Sequence, residues 1–194
     1  MNYIFMDVVK RLFDIVLAFC SMLILCIPMS IILILNKIAS RGPALYWSDR
    51  VGRDNKIFKM PKFRTMLVDT PTVATHLLES PARFLTPIGG FLRKTSLDEL
   101  PQLLSILRGD MSFVGPRPAL YNQKDLISLR TGKGVHRITP GLTGWAQVNG
   151  RDDLPIPVKV GYDEFYLKSR SFFLDLKILF MTAGQAVLGK GVSH

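Results

Sequence analysis

Residues Ile15 to Leu35 read IVLAFCSMLILCIPMSIILIL, a run of 21 residues without one charged side chain. About 20 apolar residues cross the hydrocarbon core of a bilayer as a helix, so this run decides the architecture. Pro28 lies inside it, and basic residues flank it: Lys10 and Arg11 before, Lys37 and Arg41 after. Lys and Arg near a membrane segment favour the cytoplasmic side. If both flanks obey that rule, the segment enters the membrane, bends and returns. Pro28 is then the membrane break, because proline lacks an N–H donor and its ring clashes with the carbonyl four residues earlier. A plain spanning helix also tolerates one proline. A signal peptide fits poorly, since the run exceeds the usual length of about 7–15 residues and no small-x-small cleavage site follows.

The chain has 194 residues, enough for one domain plus a membrane element. The expected division is a re-entrant membrane helix in 1–40 and a folded domain with C-terminal interfacial helices in 41–194. Lys and Arg number 25 against 15 Asp and Glu, a net charge of +10. Beside a membrane segment such an excess points to anionic phospholipid or a phosphorylated substrate. Nucleic acid is not an expected partner, because no zinc finger, recognition helix pair or RNA-binding signature is present. Cys20 and Cys26 both lie in the apolar run and read as small hydrophobes, with no disulfide framework. His76, His136 and His194 are scattered and suggest no zinc site.

Outward from the apolar run, residues 1–14 are amphipathic, with Val8, Val9, Leu12 and Phe13 able to share a face. Residues 44–66 carry Arg50, Arg53, Lys56, Lys59, Lys62 and Arg64 among short strand pieces at Ile57-Phe58 and Phe63. Residues 67–87 read as loop with a short helix. Residues 96–108 read as the clearest soluble helix. Ser96 is its expected N-cap, Glu99 completes a capping box, Leu97, Leu100, Leu104 and Leu107 recur at helical spacing, and Gly109 is the stop. Met111 to Val114 reads as a strand and 139–151 as a glycine-rich loop. Tyr162, Phe165 and Tyr166 fall on one helical face. Residues 171–188, stopped at Gly189-Lys190, are too polar to span and suit an interfacial or core helix. The fold class is therefore α+β, mostly helical.

The pair Asp98-Glu99 opens the 96–108 helix. Two carboxylates beside a basic set could hold a divalent cation and act as nucleophile and base. The alternative is that both serve the helix start, Glu99 as cap and Asp98 at the positive end. In Gly115-Pro116-Arg117-Pro118 two prolines fix the backbone around an arginine suited to bidentate phosphate binding. Lys62, Arg64, Arg93 and Lys94 could neutralise further phosphate charge, or form a solvated face. Trp145 could stack on a nucleobase or sit in the core.

These motifs carry a resemblance. KRLFDIVLA (Lys10 to Ala18), the proline-interrupted segment, KFRTM (Lys62 to Met66), RKTSLDELPQL (Arg93 to Leu103), GDMSFVGPRP (Gly109 to Pro118) and PGLTGWAQVNGR (Pro140 to Arg151) occur in order. Together they resemble the bacterial sugar transferase family, the monotopic phosphoglycosyl transferases, in its small catalytic form. The resemblance covers roughly Asp7 to Ser193. It implies transfer of a sugar-1-phosphate from a UDP-sugar to undecaprenyl phosphate, with release of UMP. It implies Asp98 as nucleophile, forming a covalent aspartyl phosphosugar, and as a ligand of Mg2+. Glu99 would be base or positioning group, and Lys62, Arg93 and Arg117 would hold phosphates. It places the protein on the cytoplasmic face of the bacterial inner membrane. One departure is Ile27, where such relatives often carry serine before the membrane proline. The rival reading is a non-catalytic scaffold that binds anionic lipid.

Overall fold

The computed structural model describes residues 3–70, 81–150 and 154–188. Residues 71–80 of the 67–87 stretch, Arg151 and the expected helix stop at Gly189-Lys190 lie outside them; among the described residues of 67–87, Pro81–Phe84 forms a 3-10 turn. The remainder is mostly helical with small sheets, as the sequence predicts.

Helix α1 (Tyr3–Ala39) contains the whole apolar run. The expected helix-break-helix does not appear as a break: the helix continues through Pro28. The Ser30 hydroxyl, two residues beyond the proline, donates to the Cys26 carbonyl at 2.8 Å. This is the usual i−4 back-bond of a helical serine; the carbonyl that Pro28 leaves without an N–H donor is that of Ile24.

The helix is apolar on its outside and partly polar on its inside. Val8, Leu12, Phe19, Leu23, Ile27, Ile31 and Ile38 are exposed. Asp14, Ala18, Ile32 and Asn36 are buried, and Met22, Leu25 and Met29 pack against the core between them. Spacings of three and four residues put these on one stripe. The two polar members tie both flanks of the apolar run to the same folded body. Asp14 Oδ1 accepts the Phe113 N–H at 3.1 Å, and Asn36 Nδ2 donates to the Ala44 carbonyl at 3.2 Å.

Strands β1 (Leu45–Val51) and β2 (Ile57–Phe63) form one antiparallel hairpin, running from Leu45 opposite Phe63 to Val51 opposite Ile57. The separate strand pieces expected from Ile57-Phe58 and Phe63 are thus one strand. Its turn is Arg53-Asp54-Asn55-Lys56, where Asp54 and Asn55 take φ of 55° and 58°. Two central residues with positive φ match the right-handed twist of a hairpin, and Asp and Asn tolerate that region better than other side chains. Pro61 has no ladder donor and is placed on the outer strand, since the order is β2-β1-β4 with β4 (Ala119–Leu120).

Helix α2 (Gly89–Lys94) is followed by a 3-10 turn (Leu97–Gln102) and helix α3 (Leu103–Arg108). The single capped helix expected over 96–108 is corrected here. Pro101 has no N–H, and the α-helix proper starts only beyond it. Ser96 is left-handed, with φ 56°, and makes no side-chain cap. Gly109 ends α3 in the left-handed conformation, as expected.

Strand β3 (Ser112–Val114) pairs in parallel with β5 (Gly141–Thr143), and α5 (Trp145–Val148) follows, so the segment expected to be a loop is ordered. Helix α4 (Lys124–Gly132) leads toward β5. In α6 (Ile156–Ser169) the buried face is Val160, Asp163 and Tyr166, while Phe165 is half-exposed. The aromatic face expected there is therefore split. Helix α7 (Phe172–Leu188) is both core and surface: Ile178 is fully buried while Phe173 and Phe180 are 82% and 77% exposed.

Candidate active site

Four segments converge at the start of the Leu97–Gln102 turn. β2 presents Lys62 and the end of α2 presents Arg93. The tight turn carries Asp98 and Glu99, and the connection from β3 to β4 carries Arg117. Lys62 Nζ donates to Glu99 Oε1 at 2.8 Å and stands 3.9 Å from Asp98 Oδ2. Arg117 Nη2 donates to the same Glu99 oxygen at 2.9 Å. The structure thus brings Lys62, Asp98, Glu99 and Arg117 together, and Arg93 lies within the electrostatic reach of Asp98.

The Asp98 and Glu99 side chains are 10% and 12% exposed, so their charges sit in a medium less screened than water. Burial pushes the Glu99 carboxyl up, but Arg117 and Lys62 outweigh it and hold the group well below the usual carboxylate range. Burial lowers the Arg93 guanidinium, against the opposing charge of Asp98.

These contacts explain why Glu99 completes no capping box. A charge-assisted bond to two cations is stronger than one to a neutral backbone amide. Arg64 is engaged away from the carboxylate pair. Its guanidinium donates to the Ser40 and Arg41 carbonyls and so caps the end of α1. Lys94 is exposed beside Arg93. Trp145 packs in a tilted pair with Phe165 at 5.5 Å, with Lys177 Nζ 5.6 Å from its ring, which favours the core role over a stacking platform.

The backbone under Arg117 is fixed through glycines. A Cβ on Gly144 would lie 2.1 Å from the Gly115 carbonyl oxygen, and one on Gly141 would lie 2.1 Å from the Gly115 nitrogen. Only hydrogen side chains permit that approach of β5 to the turn leading into Pro116. Sequence reasoning missed Arg130 and Asp163, which meet beneath this turn. An arginine and an aspartate 33 positions apart read as two solvated charges. The one available signal was Asp163 within an otherwise apolar stripe.

A helix long and apolar enough to cross a membrane, packed along a small body with a carboxylate pair among cations, fits a membrane-associated enzyme that handles anionic substrates. Residues 5–189 match the family described as bacterial sugar transferase, and the chain belongs to that family. It is 40% identical over 193 residues to the uncharacterized sugar transferase EpsL of Bacillus subtilis, covering 96% of this chain and 91% of that protein. It is 39% identical over 189 residues to UDP-glucose:undecaprenyl-phosphate glucose-1-phosphate transferase of Escherichia coli, covering 93% of this chain and 40% of that protein. Undecaprenyl-phosphate galactose phosphotransferase of Salmonella typhimurium is 40% identical over 191 residues, covering 90% of this chain and 39% of that protein. The chain therefore spans about two fifths of the two relatives named for their substrates. As a member of this family it is a sugar transferase enzyme.

Proposed function

We propose that this chain moves a sugar-1-phosphate from a UDP-sugar to undecaprenyl phosphate, releasing UMP, as the first membrane step of glycan assembly. The observation that carries the reading is Asp98 and Glu99 on one tight turn, with Lys62 and Arg117 bound to the same Glu99 oxygen. The activities for which the Escherichia coli and Salmonella typhimurium relatives are named support the substrate class.

In the proposed chemistry an Asp98 carboxylate oxygen attacks the phosphorus next to the sugar. The P–O bond to the uridylate breaks, its electron pair leaves with UMP, and an aspartyl phosphosugar remains. An oxygen of undecaprenyl phosphate then attacks the same phosphorus, and the acyl-phosphate bond breaks to restore the Asp98 carboxylate. Splitting the transfer lets UMP leave before the second anion arrives. Lys62, Arg93 and Arg117 offset the charge of the transferring group. Glu99 is a poor base, because its neighbours hold it ionised. Its part is to position Lys62 and Arg117.

The residues suit Mg2+, which binds through one or two carboxylates plus substrate phosphates rather than a full protein cage. Asp98 would hold it, and when bound it would supply charge neutralisation to the diphosphate. We also propose a monotopic placement on the cytoplasmic face, supported by Asp14 and Asn36 tying both flanks of the apolar run to one body.

The test is UMP release by the full chain in detergent or nanodiscs, with Mg2+ and undecaprenyl phosphate, across a panel of UDP-sugars. Release from at least one donor, lost in Asp98→Ala, is expected. Release that persists in Asp98→Ala would sink the mechanism. Lipid binding with no release from any donor would favour the scaffold.

A further inference from the structure

The Gly115-Pro116-Arg117-Pro118 turn is gripped by its carbonyls. Both prolines lack an N–H, so the segment offers few donors and is held mainly through acceptors. Three consecutive carbonyl oxygens each receive a bond from a different element. Pro116 O accepts the Gly141 N–H at 2.9 Å, from β5. Arg117 O accepts Arg130 Nη1 at 2.7 Å, from α4. Pro118 O accepts Arg50 Nη1 at 3.1 Å, from β1.

Arg130 is itself held. Its Nε and Nη2 donate to Asp163 Oδ2 at 2.9 and 2.7 Å, and the two side chains are 10% and 2% exposed. One guanidinium thus spans a buried carboxylate on α6 and the carbonyl of the very residue whose side chain reaches Glu99. A buried ion pair is weak ground for stability, since desolvating two charges offsets much of their attraction. Its geometry has a sharper consequence. A planar fork bonded on both edges fixes where the Arg117 backbone sits, and lysine, a point charge, cannot reproduce that.

We propose that Asp163 and Arg130 form a positioning pair that sets the Arg117 guanidinium against the donor's phosphates. The pair touches no substrate and acts through Arg117, so the inference rests on the phosphate-binding reading of that residue. Displacing a binding group by about 1 Å can cost on the order of a hundredfold in rate, so the pair is expected to affect turnover strongly.

The experiment is a double-mutant cycle on UMP release, with UDP-glucose and UDP-galactose as donors and undecaprenyl phosphate as acceptor. In the native background Asp163→Asn and Arg130→Lys should each lower kcat/KM by about tenfold or more. In an Arg117→Lys background the same substitutions should cost less than about twofold, because their effect is already spent. The double variant Arg130→Met with Asp163→Leu removes the buried charges and guards against loss of folding. It should keep the native melting temperature and still turn over slowly. Losses that add across the cycle, or native turnover in the apolar double variant, would overturn the positioning role. Native turnover in Arg117→Ala would overturn the phosphate-binding reading itself, and the pair's role with it. Slow Arg117→Ala with additive losses would overturn the pair's role alone.

Discussion

Glu99 concentrates the electrostatics of the site. One carboxylate oxygen takes bonds from both Lys62 and Arg117, and the group stays ionised below the ordinary carboxylate pKa of about 4.3. A carboxyl depressed on folding contributes stability that is complete above its unfolded pKa and is lost as pH falls through the folded value. Glu99→Gln should therefore be less stable than the native chain at neutral pH, by on the order of 2 kcal/mol, with the gap closing on acidification below about pH 4. Thermal unfolding across a pH series measures this; a gap that grows on acidification would contradict it. The same depression means that any limb of the rate profile between pH 5 and 8 should survive Glu99→Gln. Asp98→Ala should lower UMP release by on the order of a thousandfold or more while membrane binding persists. Asp98, Glu99, Lys62 and Arg117 were legible because a motif resemblance carried each onto a numbered position. Arg64 was not: a buried arginine that caps a distant helix end looks, in one dimension, like one more member of a basic run.

At the scale of elements, the site depends on where two chain breaks fall. Pro101 delays α3, so the dyad sits on a tight 3-10 turn rather than an α-helical first turn. Three glycines let β5 pass under the Gly115 turn. Gly144→Ala should destabilise the fold by about 1–3 kcal/mol, since backbone rather than a flexible side chain blocks the added methyl. It should also slow turnover, because Arg117 rides on the displaced turn. Differential scanning fluorimetry with UMP release checks both, and a native melting temperature would contradict the packing account. Hydropathy located α1, α7 and β3, and Gly109 marked the end of α3. The capping box misled because its glutamate found two cations from β2 and the Gly115–Pro118 turn, contacts that arise only in the folded chain. The Pro140 to Arg151 glycines looked like a loop for a similar reason. Their smallness serves close packing, and small residues at a close approach resemble turn residues in sequence.

Across the whole molecule, α1 turns an apolar face outward and buries Asp14 and Asn36 on its inner face, unlike a soluble amphipathic helix. Its basic flanks also have work inside the protein: Lys10 bonds Asp175, and Arg11 donates to the Ile106 and Leu107 carbonyls at the end of α3. Cysteine labelling or tags at the two ends should report the same side of the membrane, and opposite sides would contradict the proposed placement. The length of the apolar run was plain from sequence. That both its flanks bond to one body was not, because Asp14 finds its partner 99 residues away and Asn36 finds its own across the turn that follows the helix. The proposed reaction requires Asp98 to carry the phosphosugar between two substrates. Intact-mass spectrometry of the full chain, incubated with UDP-sugar and Mg2+ but no undecaprenyl phosphate, tests it most directly. A single sugar-phosphate adduct is expected that maps to the Asp98 peptide, is absent in Asp98→Ala and is discharged by undecaprenyl phosphate. UMP release without any adduct, or an adduct that persists in Asp98→Ala, would contradict it.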